Sequence, residues 1–173
     1  TEYKEPGDLP PEGVPIVGDW KQYPATGRWY ARSSSDQMTF WECVAKAAQH
    51  GVFLATIRDE AENQWIHDTI SPWHMWIGLY QDPEATTTGE GWKWIHSEEE
   101  VNTAGWGPGE PNDKGSPEAH QEDYGVVNWF SDGGWADIYD GKRFCLFEFD
   151  PGGNPPPDPD EDGPAENWHW ING

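Results

Sequence analysis

Apolar residues recur along this chain in two periods, and the switch between them outlines the fold. Gly27-Arg28-Trp29-Tyr30-Ala31-Arg32 alternates as a strand does. Thr39-x-x-Glu42 is a capping box, and the helix it opens runs to about His50 with Gly51 as its stop. Phe53 to Ile57 is a short extended link. Asp59-x-x-Glu62 opens a second helix, which ends before Ser71-Pro72. Strands follow at Trp76-Leu79, Gly91-Ile95, Tyr124-Trp129, Gly134-Ile138 and Arg143-Phe149. One strand, two helices and a run of strands is an α+β order. Between Ser97 and Asp123 no period is kept, and a compact domain rarely holds so long a loop without a function.

The ends of the chain read differently. Residues 1–24 are rich in Pro, Gly and acids and are expected to form an extended lead-in, with a short strand near residues 14–17. Residues 25–150 carry the regular patterns. Residues 151–165 are an acidic Pro-rich linker. Residues 166–173, with Trp168 and Trp170, are either a returning strand or the start of a next domain. A chain that begins at Thr1 is expected to be a piece of a longer or processed protein.

With 32 acidic against 10 basic side chains, the formal charge is −22, which excludes the basic face that nucleic acid or anionic lipid needs. No apolar run is long enough for membrane insertion. The 13 tryptophans point to a rigid aromatic core, exposed stacking platforms, or both. The six histidines show no zinc-site spacing. Nucleophile-elbow, P-loop and dinucleotide fingerprints do not occur, and no carboxylate pair is set out for glycoside hydrolysis, so the chain is expected not to be an enzyme.

Chemistry concentrates in the long loop and just after it. Glu110-Pro111-Asn112-Asp113, Glu122-Asp123 and Asp137 offer only oxygen ligands on irregular backbone, which suits calcium. An X-Pro bond is the common place for a cis peptide, and Pro111 lies between two of these ligands. The plain alternative is a solvated acidic loop that holds no metal.

In order, Gly27-Arg28-Trp29-Tyr30, Thr39-Phe40-Trp41-Glu42, Leu54-Ala55-Thr56-Ile57, Asp59-Glu60-Ala61-Glu62-Asn63, Trp76-Ile77-Gly78-Leu79, Gly91-Trp92-x-Trp94, Trp106-x-Pro108-Gly109-Glu110-Pro111-Asn112, Glu122-Asp123, Trp135-x-Asp137 and Phe147-Glu148-Phe149 make this chain resemble a C-type lectin-like domain across residues 25–150. The resemblance implies two helices flanking small antiparallel sheets, with a long calcium-binding loop region. By position it implies Glu110, Asn112, Glu122 and Asp137 as ligands of a principal Ca²⁺. Asp113 and Asp123 fall at auxiliary Ca²⁺ positions that share Glu122, and Asp82 and Glu90 lie in the neighbouring loop. Glu110, Asn112 and Glu122 would also contact sugar hydroxyls. The Glu-Pro-Asn form goes with mannose, glucose or fucose.

Two departures stand out against that pattern. Ala136 occupies the place of a ligating Asn, with Asp132 or Asp140 as its replacement from the same loop. The four usual cysteine positions fall near Ala47, at Tyr124, at Asp140 and at Phe147, none of them a cysteine. Cys43 lies one helical turn before Ala47 and Cys145 two residues before Phe147, so a displaced disulfide between them is expected, with two buried thiols as the alternative.

The resulting expectation is an extracellular or cell-surface lectin module of a larger multidomain protein, binding cell-surface glycans for adhesion. Its acidity and Pro-rich linker resemble those of large bacterial surface adhesins. A C-type lectin-like module that binds a protein or ice surface without sugar is the second reading.

Overall fold

The computed structural model describes residues 9–35, 38–114 and 122–153. Residues 1–8, most of the expected linker and the 166–173 segment lie outside the described residues.

Strand β1 (Lys21–Gln22) pairs antiparallel with β2 (Trp29–Arg32). The stretch near residues 14–17, expected as a strand, makes a single bridge from Ile16 to Ser33. The pairing strand lies nearer β2, where Gly27 at φ +78° turns the chain back.

Helix α1 (Phe40–Gln49) starts at the expected box: Thr39 Oγ1 accepts from Glu42 N, and Glu42 Oε2 accepts from Thr39 N. Its apolar stripe, Phe40, Cys43, Val44, Ala47 and Ala48, is buried at helical spacing. Gly51 at φ +69° ends it, a conformation that other residues enter at a cost. Strand β3 (Phe53–Leu54) leads to α2 (Glu60–Thr69), capped by Asp59 through Glu62 N.

Strands β4 (Met75–Gln81), β5 (Trp92–Trp94), β6 (Tyr124–Val127), β7 (Ala136–Ile138) and β8 (Phe144–Phe149) complete the fold. β2 and β3 pair with β8, and β5, β6 and β7 build out from β4, all antiparallel. The two antiparallel groups expected from the sequence are continuous, because β8 runs parallel to β4 at Met75–Phe144 and Trp76–Cys145. The result is an α+β domain with one mixed sheet. Trp76, Trp94 and Trp135 are buried in its core, with Trp92 and Trp106 packed against it. Cys43 and Cys145 form a disulfide between α1 and β8, with Cα atoms 5.7 Å apart.

One polar cluster is buried where α2 meets β2 and β8. Tyr30 Oη donates toward Glu62 and toward Glu148 (2.8 Å), and Arg58 Nη1 pairs with Glu148 at 2.8 Å. A hydroxyl holds one proton and the two acceptors are both carboxyls, so they compete for it. Burial accordingly raises Glu62 above the usual carboxylate range, opposed by the Tyr30 and Arg58 contacts. Arg58 Nε also reaches Glu99 in the long loop at 2.8 Å, tying loop to core.

Candidate functional site

The long loop is held by the edge of β7. After a 3-10 turn at Thr103–Gly105, Trp106 bridges Trp135, with Gly107 N donating to Trp135 O (2.9 Å) and Trp135 N to Gly105 O (2.8 Å). The approach is close enough to require glycine. A Cβ on Gly105 would meet the Trp135 ring at 2.3 Å, and one on Gly107 would meet Phe130 at 2.1 Å. Trp106 is wedged between Trp92 and Trp135, ring centres 4.8 and 5.9 Å away. Asn63 of α2 fixes the far side, accepting from Trp135 Nε1 (2.9 Å) and donating to Gly133 O (3.0 Å).

From this anchor the chain reaches a cis Glu110–Pro111 peptide and then Asp113 at φ +53°. Asp137 receives that turn, its Oδ1 accepting from Asn112 N and its Oδ2 from Asp113 N, both at 2.8 Å. Asn112 Nδ2 donates to Glu110 Oε1. Lys114 N donates to both Asn112 Oδ1 and Glu122 Oε2 at 2.8 Å, and Glu122 N donates to Asp113 Oδ1 at 3.1 Å. Glu110, Asn112, Asp113, Glu122 and Asp137 therefore meet in one hydrogen-bonded cluster, with Glu122 and Asp137 buried.

The cluster is rich in acceptors and short of side-chain donors. Glu110 Oε2 is buried without a hydrogen-bond partner among the described residues. Burial, and then the neighbouring Asp137 and Glu122 carboxyls, push Glu110 up to about 7 against the lowering effect of Asn112. Among the described residues, no three His, Cys, Asp or Glu side chains stand close enough to hold a metal ion. Asp137 and Glu122 turn oxygens to backbone N–H groups. Each carboxylate oxygen keeps a second lone pair. An all-oxygen set with one orphaned carboxylate oxygen is the chemistry a hard cation satisfies.

Other residues singled out in the sequence lie elsewhere or do other work. Asp123 adjoins β4, its carbonyl accepting from Gln81 N at 2.8 Å. Asp82 pairs with Lys93 (2.7 Å), and Glu90 accepts from Thr86 N (2.7 Å), so both close their own loop. Ala136 is buried opposite Val126 in the core. Its expected replacements are engaged: Asp132 Oδ1 accepts from Gly134 N, and Asp140 Oδ1 from Phe40 N at the start of α1, both at 3.0 Å. Phe130 packs under the loop against Gly107, while Trp129 is partly exposed and stacks on His74. The bridging role of Lys114 N has no sequence signal, since a backbone N–H carries none. That of Asn63 has one, a polar residue on the buried side of α2.

Comparison with known proteins places the fold in a family. The profile of the Lectin C-type domain family matches residues 36–144. E-selectin of Sus scrofa is 30% identical over 103 residues, 57% of this chain and 20% of the selectin. A perlucin-like protein of Mytilus galloprovincialis is 28% identical over 113 residues, 61% of this chain and 64% of its own length. The Kupffer cell C-type lectin receptor Clec4f superposes with a TM-score of 0.63 at 23% identity, covering 79% of this chain and 85% of that one. The mouse scavenger receptor C-type lectin carbohydrate-recognition domain superposes at 0.59 with 26% identity, covering 75% and 93%. These two sequence relatives are animal proteins and lend no support to the bacterial adhesin expected from the acidity and linker. The match over most of the chain and the shared fold agree: this chain belongs to the Lectin C-type domain family, whose members are non-enzymatic binding domains.

Proposed function

We propose that this domain binds carbohydrate of the mannose, glucose or fucose class in a calcium-dependent way. Glu110, Asn112, Glu122 and Asp137 would hold the ion, with Asp113 and Asp123 available to a second. The observation that carries the reading is Glu110 Oε2, buried with no hydrogen-bond donor among the described residues and beside the Asp137 and Glu122 carboxyls. Like charges at close range raise each other's free energy unless a cation lies between them. Bound there, calcium would supply the coordination positions that two vicinal pyranose hydroxyls take up. Glu110 accepts a hydrogen bond from one hydroxyl, Asn112 donates to another, and Glu122 completes the polar wall. Asp137 positions Asn112 through the backbone.

The setting proposed is extracellular or cell-surface, with adhesion through surface glycans as the role. The disulfide fits an oxidising compartment. Among the described residues no helix is long and apolar enough to cross a membrane. The chain spans 20% of the length of porcine E-selectin, which supports its being one module of a larger protein.

The test is a glycan array with and without EDTA, with mannose, fucose and galactose as competitors and a thermal melt of each sample. Binding that EDTA abolishes, and a lower melting temperature in EDTA, are expected. Melting and binding indifferent to calcium sink the proposal. They favour the second reading, a protein- or ice-binding module, for which the buried Ala136 in place of a ligand is the supporting observation.

A further inference from the structure

The chain carries 32 acidic side chains, yet two of its arginines have no carboxylate partner among the described residues. The ion pairs there use Arg28, Arg58 and Lys93. Arg143 precedes β8 and Arg32 closes β2, so both lie where β8 begins beside β4. Arg143 Nη1 donates to the carbonyl of its neighbour Lys142 (3.1 Å), while its Nε is buried with no partner among the described residues. Each guanidinium lies against a ring. Arg143 is 5.9 Å from the centre of Trp129, and Arg32 is 4.1 Å from that of Phe144.

Aromatic surface surrounds them. Trp73 is 63% exposed and Trp129 38% exposed. Trp129 stacks on His74 with centres 4.7 Å apart. Asn128 fixes the loop of one indole beside the other, its Nδ2 donating to Ser71 O (2.6 Å) and Trp73 O (3.1 Å). Trp73 and Arg32 also line a hollow of about 400 Å³ whose charged lining is Lys21, Arg32 and Asp19. Asp137 pairs with Gly125 near the start of β6, whereas Trp129 follows the end of that strand.

A guanidinium offers a planar fork of donors that matches carboxylate or sulfate, and it stays charged at every physiological pH. An exposed indole offers a flat apolar face. A ligand that satisfies both within one ring is an acidic pyranose, which has an apolar face and an anionic substituent together. An acidic peptide needs two side chains to do the same. We propose that Trp73, Trp129, Arg143 and Arg32 form a second binding surface, independent of calcium, for an acidic oligosaccharide. In a chain of charge −22 such a patch is the local exception that admits an anion, and added salt weakens the contact.

The test titrates the whole chain in EDTA with a hyaluronan hexasaccharide (carboxylate only), a heparin hexasaccharide (carboxylate and sulfate) and neutral maltohexaose, at low and raised NaCl. EDTA removes the proposed calcium site from the result. Saturable binding of one or both acidic sugars is expected, weaker in salt, with none for maltohexaose; which of the two binds assigns the anion. Trp73→Ala and Arg143→Gln, matched to the parent in melting temperature, should each lose about ten-fold in affinity, the effect of one charge-assisted contact or one anchor. No acidic sugar binding at millimolar concentration, undiminished binding in both variants, or equal binding of maltohexaose overturns the proposal. A glutamate-rich peptide that binds this face more tightly than either sugar also overturns it.

Discussion

Asp137 on β7 accepts the backbone N–H groups of Asn112 and Asp113 with its two carboxylate oxygens, both at 2.8 Å. One buried carboxylate thus shapes the loop before any ligand arrives. In Asp137→Asn an amide NH₂ must face one of those N–H groups. The lost charge-assisted bond should cost about 1.5–3 kcal/mol. Urea unfolding in EDTA measures the cost, and amide exchange at Asn112 and Asp113 locates it. Both amides staying as protected as in the parent would show that the turn holds itself.

The disulfide stabilises in a different way. Cys43 and Cys145 are 102 residues apart in sequence, so their bond constrains much of the unfolded chain. Cys43→Ala with Cys145→Ala should lower stability by about 2–5 kcal/mol. Unreduced, denatured parent protein should show no free thiol from this pair. Two titratable thiols would refute the bond.

Much of this frame was legible in the sequence, and what was not has a common cause. Thr39 and Glu42 act within one turn, so the start of α1 could be read directly. Glu62 also looked like a local capping residue, yet its side chain is spent on Tyr30 and on Arg58 N (2.7 Å). Tyr30 lies 118 residues from its other acceptor, Glu148, and no local pattern encodes such a pairing. β1 escaped notice because two polar residues, Lys21 and Gln22, carry no alternation and owe their conformation to Trp29 and Tyr30. In the loop, residue types pointed to Glu110, Asn112 and Asp137. That Asp137 serves backbone N–H groups, and that Ala136 turns into the core, depend on the register of β7 against β6, which only the structure gives.

His96 gives the fold a pH dependence whose sign can be worked out. Its Nε2 is buried without a partner among the described residues, its ring lies 5.1 Å from Phe53, and burial pushes its pKa from 6.5 down to about 4. Between those values the unfolded chain binds the proton and the folded one does not. His96 therefore contributes stability that is fully present above about pH 6.5 and is lost as pH falls toward 4. His96→Phe should flatten that part of the profile in urea unfolding from pH 4 to 7. An NMR titration of the parent ring with a midpoint near 6.5 would contradict the shift.

The hydrogen bond from Asn112 Nδ2 to Glu110 Oε1 makes the sugar class of the proposed site testable without dismantling the loop. In Glu110→Gln with Asn112→Asp, the amide and the carboxylate change places. The same pair can then form with its direction reversed, Gln donating and Asp accepting. The backbone bonds to Asp137 involve neither side chain and are kept. Stability should therefore stay within about 0.5 kcal/mol of the parent, as for a substitution that breaks no buried contact. What changes is the wall offered to a ligand, since the acceptor becomes a donor and the donor an acceptor. The resemblance pairs the Gln-Pro-Asp form with galactose, so a site that selects hydroxyl geometry through this pair should lose mannose and fucose and gain galactose, read as a change of competitor in calcium. Mannose competing as before would remove Glu110 and Asn112 from specificity. Loss of all binding with unchanged melting would place them in the ion site but leave the sugar class without support.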